Sequence, residues 1–257
     1  MILQMETILR LATHIYRLTF VVGLLSLLLA EFVLPDFLKY GKTLTEKGRK
    51  TKSNISSPIL YNIVHFTVPK AWFSHFYILS TGLSIITCLS FPRYVLPWLI
   101  LLHSLRRLYE TLYVNKYTSK SRMNWTHYAV GIWFYSVLHI IMLIKLYENK
   151  LEKTLNVPAF VVMAIASWDQ YMNHKVLSKL VKYSLPKQRL FTVVSSPHYM
   201  DELLIYASYV PYNWEFIWLV VWIFASLSVS ALETQKYYKR VFTKEKIPPY
   251  AIIPYLL

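Results

Sequence analysis

The chain has 257 residues, of which 55% are hydrophobic, 16% aromatic and only 16% charged. That composition cannot clothe a water-soluble protein of this size, so a soluble globular enzyme is excluded and an integral membrane chain is expected. The formal charge of +15 is dispersed between apolar segments, which argues against a nucleic-acid-binding face and for a bilayer protein with one positive side.

Apolar windows predict helical spans over residues 15–34, 73–91, 94–114, 127–147, 157–172, 197–212 and 215–232. The expected fold is all-α, a polytopic membrane protein of about seven transmembrane helices in one domain covering residues 1–257. The first apolar run has no small-residue cleavage site after it and continues through EFVLPD, so it reads as a retained span rather than a signal peptide. The fifth and sixth spans are short against the roughly 20 residues a bilayer core requires. Each must tilt or borrow polar flanks, and five or six spans is the alternative count.

Basic residues orient the chain, because cytoplasmic loops collect them. Lys39, Lys42, Lys47, Arg49, Lys50, Lys52 and Lys70 precede the second span. Further clusters run from Arg106 to Arg122, from Lys175 through Lys182 to Arg189, and from Lys236 to Lys246. Between the second and third spans only Arg93 stands. The alternation predicts an outside N-terminus and a cytosolic C-terminus. The single cysteine, Cys88, rules out an intrachain disulfide.

Ionisable residues inside such spans carry the functional signal, since charge in hydrocarbon is costly and is kept for cavities or interfaces. In LLHSLRRLYETLYVN (101–115), His103, Arg107 and Glu110 fall on one helical stripe at i, i+4 and i+7, with Arg106 beside it. The stripe reads as a polar pocket lining, with interfacial snorkelling as the plainer alternative. In SSPHYMDELLIY (195–206), Ser196 before Pro197 reads as an N-cap, and His198, Glu202 and Tyr206 share one face. A helix N-terminus on the basic side suits phosphate; an ordinary capped helix is equally consistent with the pattern. Asp169, Gln170 and His174 form a third polar cluster with Lys175, Lys179 and Lys182 nearby, and His65, His75 and Tyr77 a fourth. The five glycines form neither GxGxxG nor a P-loop, the histidines form no di-iron box and no GxSxG elbow is present, so no metal is expected.

Taken together, YGKT (40–43), VPKAWFSHFYILS (68–80), LLHSLRRLYETLYV (101–114), ASWDQY (166–171), FTVVSSPHYMDELLIYASY (191–209) and the C-terminal YYKRVF and IPYLL resemble the polyprenol reductase branch of the steroid 5α-reductase family. The blocks run in family order over nearly the whole chain. The resemblance implies a seven-helix NADPH-dependent reductase of the endoplasmic reticulum membrane in dolichol synthesis for protein glycosylation. Its substrate would be a long-chain polyprenal or polyprenol, reduced at the α-isoprene double bond. Carried over by position, the cofactor set is Arg107, Asn115, Gln170, His174, His198, Glu202, Gln235, Tyr238 and Lys239. Steroid-reducing relatives have asparagine where His198 stands, and the wider family has histidine where Gln235 stands. Their acid pair, a glutamate on the second helix and a tyrosine on the third, is replaced here by His75 or Phe76 and by Ser104. His75, Tyr77 and Glu110 are therefore the candidate carbonyl-polarising acids. The rival readings are an S-adenosylmethionine-dependent isoprenoid or phospholipid methyltransferase, reduction of a 3-oxo steroid, and a lipid-binding protein without turnover.

Overall fold

In hydrocarbon every backbone N–H and C=O must be paired within the chain, and a run of apolar residues meets that demand by coiling into helices. The structure, a computed structural model, describes residues 2–33, 58–119, 121–181 and 184–257. The YGKT stretch, the basic residues from Lys39 to Lys52, and Lys182 lie outside the described residues. The helices are α1 (Ile2–Phe32), α2 (Pro58–His65), α3 (Phe73–Ser90), α4 (Val95–Tyr109), α5 (Trp125–Tyr147), α6 (Val157–Lys179), α7 (Pro197–Ala207) and α8 (Ile217–Val241). Among the described residues, four stretches are long and apolar enough to cross a membrane: Gln4–Phe32, Lys70–Ser90, Trp125–Tyr147 and Trp214–Val241.

Several elements depart in detail from the apolar windows. A short ribbon pairs β1 (Thr67–Pro69) antiparallel with β2 (Arg122–Asn124), with Val68 opposite Met123. It ties the starts of α3 and α5 together. The stretch expected as one helix over 94–114 is α4 followed by a wider π turn, Glu110–Val114, closed by the Asn115 N–H donating to the Glu110 carbonyl at 2.8 Å. Such turns re-aim side chains and gather at functional sites. The 197–212 stretch is the short α7 and then a 3₁₀ turn, Val210–Tyr212.

Caps explain where the helices begin. The Asn124 side chain accepts from the Thr126 N–H at 3.0 Å at the start of α5, and the Asn156 side chain from the Ala159 N–H at 3.0 Å at the start of α6. Ser196 holds the N-cap place of α7, yet its hydroxyl makes no capping bond. Instead the Ser195 and Ser196 N–H groups donate to the Tyr250 and Ala251 carbonyls, so the C-terminal segment runs alongside the entry to α7.

The core sits where α3, α4 and α5 meet α7 and α8, around Leu96, Ile100, Leu138, Ile141, Met142, Tyr206 and Phe216. By contrast α1 leans on the bundle through α5 and α8 alone among its main contacts and exposes a long apolar face. It is tied down near its middle, where Arg17 pairs with Glu215, Tyr16 donates to the Glu215 carbonyl at 3.0 Å and Lys145 reaches Thr13 at 3.1 Å.

Candidate active site

A buried carboxylate needs positive partners, and Glu110, wholly out of contact with solvent, has two guanidinium groups and a histidine beside it. The π turn carries it inward. Arg106 Nη1 donates to its Oε1, Arg107 Nη1 donates to its Oε2 at 2.5 Å, and His174 Nδ1 lies 2.6 Å from the same Oε2. Pairing at i, i+3 and i, i+4 comes from α4 itself, while His174 crosses from α6.

From this centre the network branches to three other helices. Arg106 Nη2 donates to Gln170 Oε1 at 2.7 Å, and Gln170 Nε2 donates onward to Glu202 Oε2 at 2.5 Å and to the His198 carbonyl at 3.1 Å. Arg106 also lies 3.2 Å from His103 Nδ1. On the other side Arg107 Nη2 donates to the Tyr77 phenol oxygen at 2.6 Å, and the guanidinium lies over the Tyr77 ring at 4.9 Å. Tyr77 meets Tyr135 of α5 edge to face.

These groups form the polar end of a cavity of about 960 Å³. Tyr77, Arg107, Gln170, His174, His198 and Glu202 all line it. The rest is apolar, walled by α1, α5 and α8 through residues such as Leu18, Val22, Phe134, Ile223 and Leu227. One end can therefore hold charge and hydrogen-bonding groups while the remainder suits hydrocarbon.

The sequence-predicted residues divide between this site and other places. Tyr77, Arg107, Glu110, Gln170, His174, His198 and Glu202 come together. Asn115 follows the π turn and donates to Tyr117 at 3.3 Å; burial pushes the Tyr117 phenol up to about 12. His75 is exposed, stacked on Trp72 and 3.1 Å from the Tyr128 hydroxyl, and does not line the cavity. Gln235 braces the C-terminal segment, donating to the Pro248 and Pro249 carbonyls at 3.2 and 2.9 Å, while Lys239 donates to its side-chain oxygen at 3.1 Å. Tyr238 packs with Leu185 and Tyr237 in a separate cluster. None of these three lines the cavity.

Two features were not anticipated. Arg106, expected only beside the stripe, is the link between Glu110 and Gln170; its spacing of four from Glu110 was the available signal. Asp169 leaves its cluster to pair with Arg189 at the edge of the bundle, and Asn173 joins it to Asp201 through bonds of 2.9 and 2.8 Å. As an acceptor from two guanidinium groups, Glu110 has no proton to offer, so it anchors the site rather than serving as an acid. Among the described residues no three His, Cys, Asp or Glu side chains gather as a metal site.

Comparison with known proteins matches residues 108–257 to the family described as 3-oxo-5-alpha-steroid 4-dehydrogenase. A polyprenal reductase of Saccharomyces cerevisiae is 53% identical over 252 residues, 98% of each chain. Polyprenal reductases of Caenorhabditis elegans and Homo sapiens are each 27% identical, covering 96% and 92% of this chain and 97% and 92% of their own. A match over more than half the chain, with a relative this similar along its whole length, shows that the chain belongs to the 3-oxo-5-alpha-steroid 4-dehydrogenase family, in its polyprenal reductase branch.

Proposed function

We propose that the chain is an NADPH-dependent polyprenal reductase of the endoplasmic reticulum membrane, saturating the α-isoprene double bond in dolichol synthesis. The observation that carries this reading is the Tyr77–Arg107 pair at the polar end of an otherwise apolar cavity. A polyprenal has the same polarity: one aldehyde on a long hydrocarbon.

The reaction adds hydride to the carbon β to the aldehyde and a proton to the α-carbon, and negative charge builds on the carbonyl oxygen in between. NADPH, when bound, supplies the hydride. Tyr77 donates its O–H to that oxygen, and Arg107, already donating to the phenol oxygen, stabilises the charge the phenol takes on. Glu110 holds Arg106 and Arg107 in place, so the guanidinium aimed at Tyr77 needs no reorganisation during the step. His75, exposed on the far side of α3, is not needed.

The cofactor's demands fit the residues present. Gln170, His174, His198 and Glu202 offer donors and acceptors suited to a nicotinamide carboxamide and ribose hydroxyls. The buried Ser195 and Ser196 hydroxyls have no hydrogen-bond partner among the described residues and stand at the N-terminus of α7, which favours phosphate. Asn115 sits at the same end as Lys116 and Arg122. Seven spans, an outside N-terminus and a cytosolic C-terminus put this end in the cytosol, where NADPH is available.

Purified protein in detergent, offered NADPH with a short polyprenal, the matching polyprenol or a 3-oxo-Δ4 steroid, tests the reading by product mass. The polyprenal alone is expected to gain two hydrogens. Absence of NADPH oxidation with all three would refute it.

A further inference from the structure

The apolar part of the cavity has a constriction and an open side, and the two together decide where a long tail goes. Phe20, Trp133 and Trp222 pack edge to face or tilted, with ring centroids 5.0 and 5.1 Å apart, between α1, α5 and α8. Gly23 lets α1 approach this layer closely: a Cβ there would meet Trp222 Cζ3 at 3.0 Å. Beneath the aromatic layer lie the bonds that tether α1 at Thr13, Tyr16 and Arg17. The layer narrows the cavity on this side, where only Ile15, Leu18 and Thr19 of α1 still line it beside the tether.

Beyond this layer the wall is different. Between residues 22 and 30 of α1 and 222 and 230 of α8, the cavity is lined by the small side chains Ser26, Ala30, Ser226 and Ser230. Val22 and Leu29 also line it, yet they are 54% and 56% exposed, so the same side chains face both the cavity and the surroundings. Small residues leave a gap between two helices that larger ones would fill. These small residues lie on the far side of the aromatic layer from the tether.

We infer that the isoprenoid tail leaves the protein sideways, between α1 and α8, into the leaflet nearer the polar cluster, so that the site holds only the first few isoprene units. This deepens the proposed reductase function and rests on it. The consequence is chemical selectivity without a ruler: the enzyme recognises an α-unsaturated isoprenoid aldehyde and is indifferent to how many units follow once the tail reaches lipid.

The test uses full-length protein in lipid nanodiscs with NADPH and a series of isoprenoid enals from two units to more than ten. For the wild type, kcat/KM should rise over the first few units and then stay level. Ser26→Leu and Ser230→Phe, which narrow the gap from either helix, should lower the ratio of long-chain to two-unit kcat/KM at least ten-fold, whereas Leu25→Phe, on the outer face of α1, should leave it alone. An unchanged ratio in both narrowing variants, or wild-type selectivity that grows with each added unit, would overturn the exit. Failure of the wild type on every enal would instead overturn the reductase reading, and the exit with it.

Discussion

Tyr77 and Arg107 meet because a guanidinium, planar and always charged, can donate to a carboxylate and a phenol at once. Arg107 gives Nη1 to Glu110 and Nη2 to Tyr77. Accepting through its oxygen leaves the phenol its own proton to give, which sets it apart from Glu110. Tyr77→Phe keeps the ring packed on Tyr135 and removes only the donor. It should lower kcat for a polyprenal by about 10²-fold or more, as loss of a general acid does, with NADPH affinity by fluorescence titration changed little. Full turnover by this variant would take the acid role away from Tyr77. At this scale the sequence was informative about type but not about partners. Gln170 and Gln235 are both glutamines near the polar ends of helices, yet one bridges Arg106 to Glu202 and the other braces Pro248 and Pro249. Nothing in their immediate neighbours distinguishes them, because the difference lies in which element faces each.

The helices that carry the site are also held in register one turn below it. Ser80 lies 2.7 Å from Ser104 and 2.9 Å from His139 Nε2, linking α3, α4 and α5. These residues sit one turn along the same helices from Tyr77, Arg107 and Tyr135. Close approach of α3 and α5 depends as well on Gly131, where a Cβ would come within 2.4 Å of the Phe76 ring. Phe76 is buried between Phe73, Tyr128 and Tyr135 and has little room to turn. Gly131→Ala should therefore destabilise the protein by about 1–3 kcal/mol, the usual range for overpacking, seen as a lower midpoint in detergent thermal unfolding. An unchanged midpoint would mean that the ring moves freely. The helices themselves were visible in the sequence because apolar periodicity is local. The π turn at Glu110–Val114 was not, since a single widened turn leaves the pattern of apolar residues almost untouched.

Among the described residues, Lys116, Arg122 and Arg189, the polar cluster and the C-terminal segment belong to one end, and the α1 tether, Lys145 and Glu148 to the other. Single cysteines introduced at Lys116 and Lys246 in a Cys88→Ala background should react with a membrane-impermeant thiol reagent in sealed microsomes, while one at Lys153 should react only after permeabilisation. Labelling of Lys153→Cys in sealed vesicles would reverse or break the proposed topology. The methyltransferase and steroid readings lose ground at this scale too, because a polyprenal reductase relative covers the chain from end to end.

By itself the sequence determined that the protein lives in a membrane, that its spans are helices and that a stripe on one of them is polar. Those properties follow from side-chain hydrophobicity and the 3.6-residue turn, which act over a few residues. Its motifs also carried the family, since they stand in order along the chain. Only the tertiary structure decided that Arg106 joins α4 to α6, that Tyr77 rather than His75 faces Arg107, and that α1 and α8 leave a gap. Those outcomes depend on how helices far apart in sequence are rotated against one another. In lipid, with no hydrophobic force between helices, small side chains and buried hydrogen bonds set that rotation.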